Sequence, residues 1–356
     1  MIPKRVVLVD DSRVFRSILE DLLKDDPSVQ VVASLWSGEK ALEYLALHPV
    51  DVVTLDVEMP GLDGIETLRR IQELNKGIGV IMLSSLTRSG ADATMRALDL
   101  GAFDFLPKPS FDEGLQYKAT FRMQLLSKIK AWRNNSKPII SKQFAPQKGN
   151  PEVLANPNTP ARSGHVQAIV IGVSTGGPKA LTVMLPLLTA LVDCPILIVQ
   201  HMPPHFTKSL AESLAKRCRY KVVEASEGQA VEERTVYIAP GGFHLVVRRE
   251  SNKVLTALTS QPAENGCRPS VDVLFRSAGN VYGANLVAMI LTGMGADGAA
   301  SLRALKRGGA WICAQDEASS VVWGMPGSAV ATGVVDDVAS LEKLPESVAK
   351  IVKGNK

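Results

Sequence analysis

The chain has 356 residues, too many for one ordinary domain, so two domains or one large α/β unit are expected. Apolar residues make up 46% and charged residues 21%, which excludes a disordered chain and allows sizeable cores. The formal charge of +4 is spread thinly: residues 1–136 carry 17 basic and 19 acidic side chains, residues 137–164 carry 4 and 1, and residues 165–356 carry 19 and 16. Neither large block has the concentrated basic face of a DNA-binding domain, so no nucleic-acid partner is expected.

The apolar runs, such as Pro195–Val199 and Leu286–Leu291, fall far short of the ~20 residues that cross a bilayer, so no membrane insertion is expected. The opening MIPKRVVLVDD puts acidic residues where a signal peptide would continue its apolar stretch, which reads as cytoplasmic. Cys194, Cys218, Cys267 and Cys313 are scattered without a C-x-x-C pair, so they read as core thiols.

In chain order, the short apolar runs Val6–Val9, Val29–Ala33, Val52–Leu55, Val80–Leu83 and Ala102–Leu106 read as strands. Helical patterns lie between them; Val14, Phe15, Ile18, Leu19, Leu22 and Leu23 form one apolar stripe. Five strand–helix units, the last carrying Phe121, Leu125, Ile129 and Trp132, predict an α/β fold with a doubly wound, five-stranded parallel sheet over residues 1–136. Residues 137–164 hold five of the 21 prolines and one aromatic residue, with no periodicity. Repeated proline blocks helix and sheet alike, so this stretch reads as a semi-extended linker. Alternation resumes over residues 165–356: strand Ala168–Ile171, helix Leu181–Leu191, strand Ile196–Val199, a hairpin over Val236–Val247 broken at Pro240-Gly241-Gly242, strand Leu286–Leu291 and a helix around Ala299–Lys306. This block reads as a second doubly wound α/β domain with a mostly parallel sheet. There is no internal repeat.

The first strand runs into Asp10 and Asp11, and the third ends in Asp56. Parallel strands open onto one edge, where such sheets bind ligands. Three crowded carboxylates repel one another unless a cation joins them, and an oxygen-only set suits Mg²⁺. The fourth strand ends in Ser84-Ser85 and the fifth in Lys108-Pro109. Together they describe a phosphoryl acceptor: Asp56 attacks, Mg²⁺ and Lys108 neutralise the phosphoryl oxygens, and Ser84 hydrogen-bonds one of them. An isolated Asp at a strand end is more often a cap, but five fitting pieces at five strand ends are hard to reach by accident. The stretches VVLVDDS, VTLDVEMPGLDG, MLSSLT and GAFDFLPKP resemble the receiver domain of two-component response regulators over about residues 4–125. The resemblance implies phosphorylation of Asp56 by a histidine kinase, and makes Phe105 the aromatic that moves on activation.

In the second block, the strand Ala168–Ile171 leads into Gly172-Val173-Ser174-Thr175-Gly176-Gly177-Pro178. A P-loop would need Lys where Pro178 stands, and a dinucleotide loop would need glycine at Ser174. G-x-S-x-G fits and marks a nucleophile on a sharp elbow; Ser174 as a plain helix cap competes with it. His201 follows the next strand and emerges at the same edge, so it is the candidate base. His205 lies four residues on, but Pro203-Pro204 makes a shared metal-binding helix improbable, and His244 reads as structural or pocket-lining. Asp297 sits among Gly293, Gly295 and Gly298 after strand Leu286–Leu291, either as the orienting acid or as the cap of the next helix.

The stretches IGVSTGGPKAL, VQHMPPHFTKSLAESL, VYIAPGGFH, ILTGMGADGA and AQDEASSVVWGMPGSA resemble the catalytic domain of the chemotaxis protein-glutamate methylesterases, CheB. That resemblance implies Ser174 as nucleophile, His201 as general base and acid, Asp297 as orienting acid, and amides near Thr175 and Met294 as oxyanion-hole candidates. It implies hydrolysis of glutamate methyl esters on methyl-accepting chemoreceptors, deamidation of receptor glutamines, and a receiver that lies over the catalytic edge until a chemosensory histidine kinase phosphorylates it. A monomer is expected, with no cofactor in the second domain. The chain departs from the family pattern in reading Ala299-Ala300-Ser301 where another glycine is usual. The alternative is a non-enzymatic regulator whose second domain binds nucleic acid or nucleotide, against which the charge balance and the failed P-loop both argue.

Overall fold

The computed structural model describes residues 2–74, 77–109, 115–132 and 165–354, so the expected linker at 137–164 lies outside the described residues. The first unit alternates strictly: β1 (Lys4–Val9), α1 (Arg13–Leu23), β2 (Val29–Leu35), α2 (Gly38–Leu47), β3 (Val52–Asp56), α3 (Gly64–Glu73), β4 (Gly79–Ser84), α4 (Arg88–Asp99), β5 (Asp104–Pro107) and α5 (Leu115–Ala131). The order β2-β1-β3-β4-β5, parallel throughout, matches the expected doubly wound sheet. Central β3 is buried along its whole length, which is why it reads as a continuous apolar run. Helix α1 starts where the Ser12 hydroxyl accepts the Phe15 amide, and it buries Phe15, Leu19 and Leu23, four residues apart, against the sheet. The direction of winding reverses between β1 and β3, the crevice flanked by Asp10 and Asp56.

The second unit continues with β6 (Ala168–Val173), α6 (Gly177–Leu191), β7 (Ile196–Gln200), α7 (Phe206–Ala215), β8 (Lys221–Glu224), β9 (Thr235–Ile238), β10 (His244–Glu250), β11 (Lys253–Thr259), α8 (Val271–Tyr282), β12 (Leu286–Ile290), α9 (Ala299–Arg307), β13 (Trp311–Gln315), α10 (Gly324–Ala331), β14 (Asp337–Ala339) and α11 (Leu344–Val352). Seven strands in the order β14-β13-β12-β6-β7-β9-β8 form a second parallel sheet. Here the winding reverses between β6 and β12, so the turns after β6, β7 and β12 share one carboxyl edge. The hairpin falls elsewhere than expected. Strand β9 joins the large sheet, and β10 pairs antiparallel with β11 around Ser251, whose φ is 50°. The break at Pro240–Gly242 is therefore a crossing from one sheet to the other, and the turn chemistry that matters lies nine residues later.

The two units pack through α4 and β5 of the first and α6 and α7 of the second. The rings of Phe105 and Phe206 stack, with centroids 5.0 Å apart and planes 6° apart. Around them the Ser209 hydroxyl donates to Asp92 at 2.5 Å and Arg217 pairs with Asp99 at 2.9 Å. Among the described residues no helix is long and apolar enough to cross a membrane.

Candidate active site

Val173 and Gln200 are paired in the parallel ladder, so Ser174 and His201, the next residues on their chains, leave the sheet side by side. The Ser174 amide donates to Thr292 O at 3.0 Å, while its carbonyl accepts from Gly177 N at 2.8 Å and from the Gln200 side chain at 3.0 Å. The elbow is thus bonded to the end of β7 and to the turn after β12. Gly176, with φ at 75°, starts α6, so Ser174 is not that helix's cap. A Cβ on Gly176 would come within 2.6 Å of Val321, and one on Gly293 within 2.8 Å of the Ser174 Cβ. Bare backbone at both positions lets the turns close around the serine.

His201 Nε2 lies 2.8 Å from Asp297 Oδ2. Asp297 does not cap α9, which starts at Gly298 with φ 94°. Its carboxylate instead meets the N-terminus of α8: Oδ2 accepts from Val271 N at 2.7 Å, and Oδ1 from Asp272 N at 3.1 Å, Ser270 Oγ at 2.8 Å and Asn265 Nδ2 at 2.9 Å. Burial favours the neutral acid, but these donors and His201 outweigh it and hold Asp297 well below the usual carboxylate range. An ionised acceptor requires the hydrogen on His201 Nε2, which leaves the Nδ1 lone pair as the basic site. For His201, burial favours the neutral ring, and its interactions with Asp297 and Cys267 outweigh it, raising its pKa to about 9.

Asn265, Ser270 and the α8 amides carry no signal in the sequence, because Asn265 lies 32 residues from Asp297 in a segment without periodicity. Asn265 bridges two carboxylates, donating also to Asp272 Oδ2 at 2.9 Å. Ser301, one of the residues in the stretch that departs from the family pattern, donates its hydroxyl to Asp272 Oδ1 at 2.6 Å and so supports this bridge. His244 is structural: Nδ1 accepts from Ser270 N at 3.1 Å and Nε2 faces Pro262 O at 3.1 Å. Asn265→Ala should reduce kcat about tenfold, the scale of one hydrogen bond to a charged group. With one donor fewer, Asp297 accepts more strongly from the imidazolium. The acid limb of kcat/KM, above pH 6.5 in the parent, should therefore move further up. A pH profile lowered uniformly, with the limb unmoved, would show only a packing role.

In the first unit, carboxylate oxygens of Asp10, Asp11 and Asp56 lie within 4.8 Å of one another, Asp10 and Asp56 being buried. Lys108 Nζ is 2.7 Å from Asp10 Oδ2 and 2.7 Å from Asp56 Oδ2. Burial and the Asp10 charge push Asp56 up to about 6 even against this ammonium. Oxygen-only donors whose charge one lysine leaves uncompensated fit a hard divalent cation such as Mg²⁺. Ser84, buried at the end of β4, donates to Ser85 O at 3.3 Å. Phe105 lies outside this pocket, on the face of β5 that meets Phe206.

One residue ties the first unit to the Ser174 elbow. Asp104, buried on β5, pairs with Lys128 at 2.7 Å, and its Oδ2 accepts from Gly176 N at 3.1 Å, within the turn that carries Ser174. A partner 72 residues away gives no sequence signal.

A receiver sheet packed on a second doubly wound domain with Ser, His and Asp at one edge is the plan of a response regulator with an enzyme as its output. Residues 6–119 match the response regulator receiver domain model, and residues 169–348 match the CheB methylesterase model. The chain belongs to the CheB methylesterase family. It is 40% identical, over 98% of both chains, to a protein-glutamate methylesterase/protein-glutamine glutaminase of Desulfotalea psychrophila. It is 39% identical to one of the same name from Pyrococcus horikoshii, over 98% of this chain and 94% of that one. The Thermotoga maritima CheB methylesterase catalytic domain superposes with a TM-score of 0.51 at 41% identity, covering 52% of this chain and 98% of that one.

Proposed function

We propose that the chain is a phosphorylation-activated serine esterase that removes methyl groups from glutamate side chains of methyl-accepting chemoreceptors, and deamidates receptor glutamines, within a chemosensory pathway. The observation that carries the esterase reading is the His201–Asp297 hydrogen bond on the strand ends flanking the Ser174 elbow. Ser174 Oγ attacks the ester carbonyl while His201 Nδ1 takes its proton. Amides near Thr175 and Met294 face the developing oxyanion. His201 returns the proton to the departing methanol, and water, deprotonated by the same nitrogen, releases glutamate. A glutamine substrate follows the same steps with ammonia as the leaving group.

Control runs through a short segment. Asp56 accepts a phosphoryl group from a chemosensory histidine kinase; Mg²⁺, held by Asp10, Asp11 and Asp56, would supply charge neutralisation there. Lys108 and Ser84 then serve the phosphoryl oxygens. Lys108 follows β5 directly, and β5 carries Asp104 and Phe105, which hold Gly176 and Phe206 of the second unit. Redirecting Lys108 from Asp56 to a phosphoryl oxygen therefore pulls on the strand that covers the elbow. Asp56→Asn should retain a low basal esterase rate and lose stimulation by a small phosphodonor with Mg²⁺, because the amide is near in shape but forms no acyl phosphate. Stimulation of several-fold in this variant would place the switch elsewhere.

A further inference from the structure

The mechanism above leaves one half-buried nucleophilic side chain beside the His201–Asp297 pair without a role. Cys267 Sγ, a nitrogen of His201 and a carboxylate oxygen of Asp297 lie within 4.8 Å of one another. The thiol is held there. Glu264 and Cys267 exchange backbone hydrogen bonds of 3.1 and 2.9 Å across a tight turn in which Asn265 and Gly266 have φ of 54° and 73°. The side chain of Asn265 ties the same turn to Asp297, and both Glu264 oxygens bind Arg276 at 2.6 Å. Cys267 is not in a disulfide, and both it and His201 are only half-buried, so solvent reaches the group.

We propose that His201, Cys267 and Asp297 form a binding site for a thiophilic divalent cation, Zn²⁺ above all, and that its occupancy arrests the esterase. Nitrogen, sulfur and oxygen together are the donor set of zinc sites with three protein ligands, the fourth position going to water. The thiolate sets this site apart from the oxygen-only pocket of the receiver, which suits Mg²⁺. Asp297 Oδ1 accepts from Asn265, Ser270 and Asp272, whereas Oδ2 accepts from Val271 N and faces His201, so Oδ2 is the oxygen to bind the metal, in place of the hydrogen now shared with His201 Nε2. The gap of 2.8 Å must widen by roughly half an ångström for bonds of ~2.0–2.2 Å at a tetrahedral angle, a small tilt of a ring that is 12% exposed. Binding releases the thiol proton. The metal binds the neutral imidazole; with Nε2 on the metal the remaining ring hydrogen is on Nδ1, and the ring then has no lone pair for the Ser174 proton. Arrest as a consequence rests on the proposed role of His201; binding does not.

The test uses the full chain with Mg²⁺ constant. Zn²⁺ affinity is measured by competition with a chromophoric chelator for the parent and for Cys267→Ser, and Co²⁺ is added to each for its absorption spectrum. The parent should show a thiolate-to-cobalt charge-transfer band in the near ultraviolet, absent in Cys267→Ser. The variant's Zn²⁺ affinity should be at least ~10-fold weaker, since even a supporting partner contributes that much. Esterase activity of the parent should fall with Zn²⁺ and return with chelator. Should Cys267→Ser fail to fold, Zn²⁺ should still protect Cys267, and not half-buried Cys218, from alkylation in the unaltered chain. An absent cobalt band, unchanged Zn²⁺ affinity in the variant, or unprotected Cys267 would overturn the site. A band accompanied by undiminished esterase activity would overturn the arrest. Because the band is read without substrate, an esterase assignment that failed would leave it in place.

Discussion

Ser174→Ala should lower the esterase rate by at least ~10⁴-fold while leaving phosphorylation of Asp56 intact. Loss of a triad nucleophile typically removes nearly all catalysis beyond what binding and oxyanion stabilisation supply, and the His201–Asp297 pair has no other hydroxyl nucleophile in its proposed role. The elbow is bonded through its backbone to Thr292 and Gly177, and a methyl side chain disturbs neither contact. The receiver pocket is built from β1, β3, β4 and the residue after β5, so phosphoryl uptake is chemically independent of residue 174. Release of methanol from methylated receptor and radiolabel uptake from a phosphodonor give the two readouts. An alanine variant of near-parental activity would remove Ser174 from the mechanism.

Residues 165–356 alone should hydrolyse methylated receptor faster than the unphosphorylated full chain, by about tenfold to a hundredfold, which corresponds to roughly 1.4–2.8 kcal/mol of net closure. The contacts to be released are of that order. An aromatic stack contributes ~0.5–1.5 kcal/mol beyond its burial, and a hydrogen bond to a charged group ~1.5–3 kcal/mol. The first is Phe105 on Phe206; the second occurs at Asp104 on Gly176 N and at Asp92 on the Ser209 hydroxyl, and the cost of desolvating these carboxylates offsets part of it. The partly exposed Arg217–Asp99 pair adds little. Because both units belong to one chain, the receiver meets the same surface again after each opening, so phosphorylation need shift only this modest balance. A catalytic domain 41% identical to this one has been solved as a chain of its own, and circular dichroism of the fragment checks its folding here. A well-folded fragment no faster than the full chain would show that phosphorylation acts by creating a receptor-binding surface rather than by uncovering the elbow.

The parallel strands were legible because their residues are buried on both faces and read as unbroken apolar runs: β3, β6 and β12 are buried from end to end. Chemistry placed at strand ends was legible for the same reason, since a run that stops at Asp56 or His201 marks the edge of a sheet. Local capping logic was the weaker guide. It offered Ser174 and Asp297 as caps of the helices that follow them, but glycines in the left-handed region, Gly176 and Gly298, start those helices and free both side chains. Periodicity also misplaced the hairpin, because β9 and β10 are consecutive in sequence yet belong to different sheets. Contacts between distant segments left no local trace: Asn265 on Asp297, Asp104 on Gly176 and Phe105 on Phe206 each depend on how the sheets and domains come together.

The most direct test of a phosphorylation-gated serine esterase is the rate at which a fluorophosphonate labels the full chain, followed by peptide mapping, with and without a phosphodonor and Mg²⁺. One label is expected, on Ser174, formed at least about tenfold faster when Asp56 is phosphorylated, with no acceleration in Asp56→Asn. A label on another residue, or a Ser174 rate indifferent to the phosphodonor, would contradict a phosphorylation-gated serine esterase.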